Sequence, residues 1–448
     1  MKITTMQVPL PEDLMKLKWN GQFKLMDEMI DRRLEKEIPE MLKERLMLEK
    51  ELIKVLPREF IYSKDEALNI LKENIEDFRD EEFDELFKEN AFEFLFIEGE
   101  MKFKADFYEN LIKTRKAYTA RVKQPVSNQN IELLNEVISK IKTNGQSKYK
   151  IHIKVSLKVK EEYEKVGKIV RVWLPIPKEY AQVEDFKIIK TTPQATSIND
   201  NHAKHRSVYF EVPLEHNQEF SVEYEFVNHM VYQVLDPSKV IFEHPNCCLE
   251  EEYPYVIFTP YLKALAKEIV VEETNPLVKA KLIYDYITSK VMYSYVRAYI
   301  TLPNIPEYVA TGLKGDCGVQ AILFITLCRI VGIPATWQAG LYATPLTIGN
   351  HDWARFYVSP FGWLYADCSF GGSAYRQGDK ERQEFYFGHL DPFRIPSASH
   401  YCSELVPEKK YIRRDPYDHQ TGEIEYIDGP IDSLEYEMRQ EMLEIKEI

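Results

Sequence analysis

The feature that most constrains the fold is an apolar segment that begins at Cys317 and ends before Gly332. Its apolar residues surround the predicted helix on every side instead of forming one stripe. Such a helix is stable only when neighbouring elements cover it, so we predict a central buried helix. Gly315 and Asp316 supply a turn and a candidate N-cap before it. Gly332 and Pro334 supply the stop.

Cys317 is predicted to lie in the first turn of this helix. There the unpaired backbone N–H groups and the helix dipole favour an anion, so the thiolate is stabilised. A thiolate is the reactive nucleophile, and the backbone N–H of Cys317 can contribute to an oxyanion hole. Cys328 lies eleven residues later on the same helical face, about 16 Å farther along the axis at roughly 1.5 Å per residue. We predict that Cys328 belongs to the core.

A base and an orienting acid follow on a predicted pair of strands. His351 begins an aromatic, strand-like segment, and Asp367 ends the returning strand. A three-residue loop with Gly362 in a bulge places both on one sheet face, whereas a two-residue loop places them on opposite faces. With simple pairing, His351 and Asp367 are not directly opposite each other along the strands. A bulge would bring them together, and so would a position of His351 just before the strand. Taken alone, His351 could be a histidine at the end of a hairpin, and Asp367 could be a cap at the end of a strand. The joint occurrence of Cys317, His351 and Asp367 favours a catalytic triad.

These motifs resemble the transglutaminase-like superfamily, whose core is papain-like. The resemblance covers roughly residues 255–372 and rests on Gly315-Asp316-Cys317-Gly318, Gly332-Ile333-Pro334-Ala335, His351-Asp352-Trp353 and Gly362-Trp363-Leu364-Tyr365-Ala366-Asp367, with Tyr284-Asp285-Tyr286-Ile287 and Tyr293 upstream. It implies that Cys317 is the nucleophile, His351 the base and Asp367 the orienting acid. It also implies an oxyanion donor. The upstream aromatic candidate is Tyr293, for which a core tyrosine is the alternative.

The sequence predicts an α+β multidomain protein. Residues 1–147 read as a helical domain with apolar residues at three- and four-residue steps from Phe23 to Leu42, a capping-box spacing at Ser63 and Glu66, and further helix through Phe92 and Leu95. Gln124-Pro125 and the polar stretch 143–147 are plausible hinges.

Three further segments follow the helical one. Residues 148–232 alternate apolar and polar positions and predict a central antiparallel β-sandwich. With Trp173-Leu174-Pro175, this segment also loosely resembles the β-domain that often precedes the catalytic core in the superfamily. Residues 233–400 are assigned to the papain-like, transglutaminase-like α+β catalytic domain. Residues 401–448 are predicted to form a charged surface appendage that includes Arg413-Arg414-Asp415 and ends in a Glu-rich helix.

Composition excludes several function classes. A formal charge of −14 makes nucleic acid and anionic membranes unlikely partners, because phosphate is repelled. The first residues lack the apolar core of a signal peptide, and six cysteines in 448 residues do not form a disulfide framework. These features predict a cytoplasmic setting. No Gly-rich phosphate loop is present, so no nucleotide cofactor is expected.

The predicted activity is thiol-dependent acyl transfer on amide bonds, with hydrolysis of a peptide or protein substrate favoured. Transamidation is an alternative, as is a non-catalytic peptide-binding scaffold that recruits a protein partner through the helical domain. Metal binding by His244, Cys247 and Cys248 is disfavoured, because a second ligand pair is missing, and Cys368 is expected to face away from the site. No metal or cofactor is predicted.

Overall fold

The computed structural model describes residues 3–124, 127–413 and 417–448. Pro125 of the predicted hinge, and Arg414-Asp415 of the predicted appendage, lie outside the described residues. The chain is a mixed helix and sheet protein with several separate sheets.

The described residues form helices and strands throughout. The α-helices are α1 (Glu12–Trp19), α2 (Phe23–Leu34), α3 (Glu40–Glu59), α4 (Lys64–Asn74), α5 (Asp80–Lys88), α6 (Phe107–Thr114), α7 (Lys116–Thr119), α8 (Gln129–Asn144), α9 (Pro260–Val270), α10 (Pro276–Lys290), α11 (Ile305–Gly312), α12 (Cys317–Ile330), α13 (Cys368–Gln377) and α14 (Lys380–Phe385). The strands are β1 (Phe60–Tyr62), β2 (Phe94–Ile97), β3 (Glu100–Lys104), β4 (Gln146–Val159), β5 (Ile169–Pro175), β6 (Val183–Thr192), β7 (Ser197–Ile198), β8 (Ser207–Pro213), β9 (Glu219–Val231), β10 (Met292–Tyr293), β11 (Lys314–Gly315), β12 (Ala335–Ala343), β13 (Ile348–Val358), β14 (Gly362–Ala366), β15 (Phe387–Gly388), β16 (Arg394–Ala398), β17 (Glu423–Tyr426), β18 (Gly429–Pro430) and β19 (Tyr436–Glu447).

The chain divides into two compact units. The first unit comprises Met1–Asn128, Glu252–Ile257 and Val291–Asp316. The second unit comprises Gln129–Glu251, Phe258–Lys290 and Cys317–Ile448. The division into four domains, at residues 1–147, 148–232, 233–400 and 401–448, stays a prediction.

The first unit is largely helical, as its periodicity predicts. The capping box at the start of α4 is confirmed, because the Ser63 hydroxyl accepts from the Glu66 N–H at 3.3 Å and the Glu66 carboxylate accepts from the Ser63 N–H at 2.7 Å. The apolar stripe that starts at Phe23 does not continue to Met41, which is 67% exposed. Pro39 begins a new helix, and the helical periodicity restarts there.

The helix predicted through Phe92 and Leu95 is wrong. This stretch forms the hairpin of β2 and β3, and β3 also pairs with β1. Two residues, Glu98 and Gly99, connect the strands, and both have positive φ, at 50° and 86°. That backbone matches the twist of a tight hairpin, and the aromatic Phe-Leu-Phe-Ile run suits a strand. The hairpin therefore overrides the helical spacing.

The segment immediately before Cys317 belongs to the first unit. Glu93 is 8% exposed, and its carboxylate lies 2.9 Å from Lys314 Nζ and 3.2 Å from Arg297 Nη1. It also accepts from the Tyr308 hydroxyl at 3.3 Å. A nearly buried carboxylate with these partners fixes residues 291–316 within this unit.

The region predicted as a β-sandwich contains the predicted strands. Its two sheets have the orders β19-β4-β9-β6 and β18-β17-β5-β8-β7, and all of their strand pairs are antiparallel. Phe210 of β8 and Phe220 of β9 are in ring contact at 5.6 Å, which joins one sheet to the other.

The C-terminal segment is not a helical appendage. Residues 436–447 form β19, which pairs along β4 from Tyr436 opposite Val159 to Glu447 opposite Tyr149. β17 pairs with β5 in the other sheet. The Glu-rich sequence has helix-forming residues, but the long edge of β4 offers a complete hydrogen-bonding ladder, and this tertiary context overrides local propensity.

The second unit also holds a five-stranded antiparallel sheet in the order β15-β14-β13-β12-β16. α12 packs against it through Phe324 and Phe356, whose rings are 5.6 Å apart. Every residue from Gly318 to Arg329 is buried, which confirms the predicted central helix.

The predicted stop of α12 is confirmed as well. Gly332 has φ +82°, its N–H donates to the Arg329 carbonyl at 3.1 Å, and the Ile333 N–H donates to the Cys328 carbonyl at 2.9 Å. These two bonds form a Schellman motif, which satisfies the last carbonyls of the helix. Within the part of the chain that the structure describes, no helix combines the length and apolarity needed to cross a membrane.

We predict that Glu93→Gln destabilises the first unit. The neutral amide leaves the Lys314 ammonium and the Arg297 guanidinium without their shared carboxylate, so the free energy of unfolding should fall by about 3 kcal/mol. Urea titration measures the change. Glu89→Gln is the matched control, because Glu89 pairs with Arg115 while 55% exposed and should cost less than about 1 kcal/mol. Equal effects of the two substitutions would contradict the prediction.

Candidate active site

Cys317 is the first residue of α12 and is partly exposed, whereas the helix that follows is buried. Its Sγ lies 3.6 Å from Oδ2 of Asp352, to which the thiol donates a hydrogen bond. Asp352 is 3% exposed and follows His351 directly in β13. The sulfur therefore lies beside β13, at the residue next to the predicted base.

His351 and Asp367 are brought together, as the sequence predicts. His351 Nε2 lies 2.8 Å from Asp367 Oδ2, and the two side chains are 5% and 0% exposed as residues. The loop between β13 and β14 has three residues, because Val358 pairs with Gly362. This is the loop length for which the two side chains share a face.

His351 and Asp367 meet neither through a bulge nor through a position of His351 before the strand. The register pairs Ala354 with Ala366, so continuing it by one step sets Asp367 opposite Trp353, two residues from His351. His351 lies within β13, and no bulge separates the two strands. Diagonal neighbours on one sheet face are about 7–8 Å apart, which these side chains span. The stacked rings of His351 and Trp353, 5.8 Å apart, show the shared face.

Asp367 is a fully buried carboxylate with four donors. Besides His351, Oδ2 accepts from Arg394 Nη1 at 2.7 Å, while Oδ1 accepts from the Phe370 N–H at 2.9 Å and the Ser369 hydroxyl at 3.0 Å. Burial alone raises the pKa of Asp367, but the charges of His351 and Arg394 and these hydrogen bonds outweigh it and lower the pKa to about 2. The group is a carboxylate at neutral pH, so His351 carries a proton on Nε2.

Arg394 was not identified from the sequence. It is 0% exposed, and besides Asp367 it donates to Asp391 Oδ2 from Nη2 at 2.8 Å and from Nε at 3.0 Å. Its guanidinium lies 4.0 Å from the Phe370 ring centroid. Burial lowers the pKa of Arg394, but the two carboxylates outweigh this and raise it, so the residue stays charged. One guanidinium between two carboxylates leaves a net charge of −1 in this cluster, which His351 contacts through Asp367.

A glycine allows the strand that carries Arg394 to lie this close. Gly340 of β12 pairs with His351 on one side and with Pro396 of β16 on the other. A Cβ at Gly340 would lie 1.9 Å from the Ile395 carbonyl oxygen, so no larger residue fits. A glycine inside a strand pattern is a signal of such close backbone approach, but it does not reveal which strand approaches.

Gln420 was also missed. It is 5% exposed, and its Nε2 donates to Asp352 Oδ1 at 2.5 Å and to the His351 carbonyl at 3.1 Å. Gln440 of β19 donates in turn to the Gln420 carbonyl at 3.3 Å. The segment predicted as an appendage thus reaches the site, and no local sequence pattern marks Gln420 for this contact.

Tyr293 lies in the first unit, in β10. Lys113 Nζ lies 3.3 Å from its hydroxyl oxygen and 4.4 Å from its ring centroid, and the Tyr295 ring is 5.8 Å away. These contacts are those of a tyrosine that binds an ammonium group. The oxyanion role of Tyr293 stays a prediction.

The other cysteines differ from Cys317. Cys328 and Cys368 are buried, and burial raises the pKa of both thiols far above the usual value, so neither is a nucleophile. Cys328 is confirmed as a core residue. Cys247 is exposed, and His244 Nδ1 donates to the neighbouring Pro245 carbonyl at 3.0 Å. Among the described residues, no three His, Cys, Asp or Glu side chains form a group that could hold a metal ion.

The comparison with known families agrees with the motifs around this site. Residues 263–368, which include Cys317, His351 and Asp367, match the model of the transglutaminase-like superfamily. This segment is a transglutaminase-like domain. The resemblance predicted from the sequence is confirmed for it.

The individual proteins that this chain resembles share few identical residues with it. A Haemophilus influenzae protein described as uncharacterized is 27% identical over an alignment of 144 residues, which covers 26% of this chain and 39% of the relative. The chain thus spans well under half of that relative's length. A candidate cysteine protease from Cytophaga hutchinsonii is 18% identical, with a TM-score of 0.43 over 67% of this chain and 91% of its own. The periplasmic domain of TgpA from Pseudomonas aeruginosa is 14% identical, with a TM-score of 0.28 over 52% and 92%.

We predict that Asp367→Asn lowers stability in a pH-dependent way. The folded-state pKa of Asp367, about 2, lies below its usual 3.8, so the carboxylate stabilises the fold above pH 3.8 and loses this effect as the pH falls toward 2. The wild type should exceed the variant by about 2 kcal/mol at neutral pH, with the difference shrinking below pH 4. Urea titrations between pH 6 and pH 3 measure it.

The control for this pH series is Asp285→Asn, which removes a 42% exposed carboxylate paired with Lys281 in the same unit. Its effect should be small and nearly independent of pH. A difference between the wild type and Asp367→Asn that grows toward acid pH would contradict the assignment of a buried, charged Asp367.

Proposed function

We propose that the protein is a thiol-dependent enzyme that hydrolyses amide bonds in a peptide-like substrate, with Cys317 as nucleophile, His351 as base and Asp367 as orienting acid. The observation that carries the proposal is the 2.8 Å hydrogen bond between His351 Nε2 and the buried Asp367 carboxylate. Cys317 Sγ lies 3.6 Å from Asp352 Oδ2, and Asp352 follows His351 directly in β13.

The proposed reaction begins with transfer of the Cys317 proton to His351. Nε2 faces Asp367, so Nδ1 is assigned to this exchange. The thiolate attacks the amide carbon, a C–S bond forms, and the carbonyl oxygen becomes an oxyanion. When that oxyanion collapses, the C–N bond breaks and the amine leaves with the proton held by His351. A thioester remains on Cys317.

Water completes the proposed cycle. It attacks the thioester carbon while giving a proton to His351, the C–S bond breaks, and the proton returns to sulfur as the acid product leaves. The imidazolium formed in both halves is stabilised by the net charge of −1 on Asp367, Asp391 and Arg394. The N–H at the start of α12 and the hydroxyl of Tyr293 are the proposed oxyanion donors. Water is preferred to an amine as acceptor because it is always available.

The cellular location, the substrate class and the partners of the protein are proposals too. We infer a cytoplasmic protein that acts on peptides or proteins, and neither nucleic acid nor membrane is proposed as a partner because of the charge of −14. Residues 1–147, the predicted helical domain, are proposed to recruit a protein partner.

We predict that Cys317→Ala abolishes turnover of a peptide library containing glutamine, because no other thiol can form the acyl-enzyme. Products are followed by mass with and without a primary amine: chain cleavage, deamidation and amine incorporation each change the mass differently. Cys247→Ala is the matched control, since Cys247 is exposed and outside the proposed site, and it should keep full activity. Activity that survives Cys317→Ala would overturn the proposal, and amine incorporation would replace hydrolysis by transamidation.

We also predict selective alkylation of Cys317. Iodoacetamide near pH 6 should label Cys317 well before the other five cysteines, because only a thiolate held by the site is populated at that pH. His351→Gln should slow this labelling about tenfold or more, since the base that takes the proton is lost. Peptide mass spectrometry at short times gives the rate at each cysteine. Equal, slow labelling of all six would favour the non-catalytic scaffold.

A further inference from the structure

The second unit contains a cavity apart from the proposed catalytic residues. Its volume is about 660 Å³, within the range of roughly 300–1,000 Å³ that is usual for small-molecule sites. The walls come from α8, the segment after β9, α10, α14, β15 and the residue after β15, all of which belong to the second unit. The described residues that line the cavity do not include Cys317, His351 or Asp367. The cavity is therefore a second candidate site in this unit.

Three rings form an aromatic surface in the cavity. The ring centroids of Tyr232 and Phe385 are 6.5 Å apart and the rings are nearly parallel, while the His389 ring lies 4.5 Å from Tyr232 and 5.6 Å from Phe385. His389 is 6% exposed, and burial lowers its pKa to about 4, so the imidazole is neutral at neutral pH. Leu235 and Leu277 add apolar side chains to the lining. An uncharged aromatic surface of this kind suits a flat, apolar group of a ligand.

Contacts between the segment after β9 and its neighbours fix the wall of the cavity. His389 Nε2 lies 2.9 Å from the Gln233 carbonyl oxygen, and the Gln233 side-chain amide donates to the Phe361 carbonyl at 3.2 Å. Residue 388 is a glycine with φ +98°, and a Cβ there would lie 2.5 Å from Leu235 Cδ1. The segment is thus held against β15, so the cavity is preformed and a ligand does not have to order the chain in order to bind.

The exposed part of the lining carries both signs of charge. Lys142 Nζ lies 2.6 Å from the Glu381 carboxylate, and Lys281 Nζ lies 3.2 Å from that of Glu384. Lys281 also contacts Asp285 at 2.7 Å, so Glu384 is the farther of its two carboxylates. Glu381 and Glu384 are 64% and 46% exposed, so water screens these pairs and the charged groups of a ligand can replace one partner. Lysines and glutamates together favour a ligand that carries a carboxylate and an ammonium.

We propose that this cavity binds a free amino acid with an aromatic side chain. The side chain of the ligand would lie on the aromatic surface of Tyr232, Phe385 and His389. The carboxylate of the ligand would pair with the lysines of the exposed lining, and its ammonium would pair with the glutamates. Binding here is independent of the proposed reaction, because a free amino acid offers no amide bond to Cys317.

Isothermal titration calorimetry on the full chain tests this binding. The titrants are L-phenylalanine, L-tyrosine and L-tryptophan, and the best of them should bind with a Kd of about 1 mM or lower. L-alanine lacks the ring, the N-acetyl derivative of the best titrant lacks the ammonium, and its amide lacks the carboxylate. Each of these three should bind more weakly by about tenfold or more. Absence of binding by all three aromatic amino acids overturns the proposal, and equal affinity of the N-acetyl derivative replaces the ligand class by an aromatic carboxylate.

Two variants test whether the binding occurs in this cavity. Tyr232→Ala removes one ring of the aromatic surface and should weaken binding by about tenfold, whereas Tyr375→Ala removes a 48% exposed ring outside the described lining and should leave the affinity unchanged. Glu381→Gln combined with Glu384→Gln keeps the rings, and it should bring the affinity of the free amino acid to within about threefold of that of its N-acetyl derivative. Circular dichroism verifies the fold of each variant. Wild-type affinity in either folded cavity variant would overturn the proposal.

Discussion

A buried carboxylate that must stay charged shapes the candidate site. Asp367 is fully buried, yet its pKa of about 2 keeps it ionised, which is possible only because Arg394 and His351 supply positive charge and two donors from the start of α13 complete its hydrogen bonds. Removing Arg394 would take away one of the two positive partners of this buried carboxylate, and that is costly in a medium of low dielectric constant. The position of His351 is thus a consequence of the charge balance around Asp367 as much as of its place on β13.

The contact between Arg394 and Asp367 also depends on how distant strands of the backbone pack. Arg394 reaches Asp367 only because β16 lies against β12, and β16 fits there only because residue 340 is a glycine. The C-terminal segment adds a second constraint, since β19 extends the edge of β4 and Gln440 holds the Gln420 carbonyl beside the site. Pairing between strands that are distant in sequence therefore positions the side chains of Arg394 and Gln420. Arg394 contacts Asp367, and Gln420 contacts Asp352.

The sequence predicted what local pattern determines. α12 follows from apolar residues on all sides between a turn and Gly332, and the shared face of His351 and Asp367 follows from the period of a strand and a three-residue loop. Arg394 and Gln420 carry no local signal, because their roles depend on which strands become neighbours. The tail shows the same limit: Tyr436–Glu447 has helix-forming residues, but the unpaired edge of β4 decides its structure. Pairing between distant segments is the information that one sequence does not contain.

Successive side chains of β13 point to opposite faces of the sheet, and this separates the charged groups near Cys317. His351 and Trp353 share one face of β13, where Arg394 compensates the acids, whereas Asp352 shares the other face with Phe356, against which α12 packs. The consecutive residues His351 and Asp352 therefore make different contacts: the imidazole contacts the Asp367 carboxylate, and the Asp352 carboxylate contacts the Cys317 sulfur.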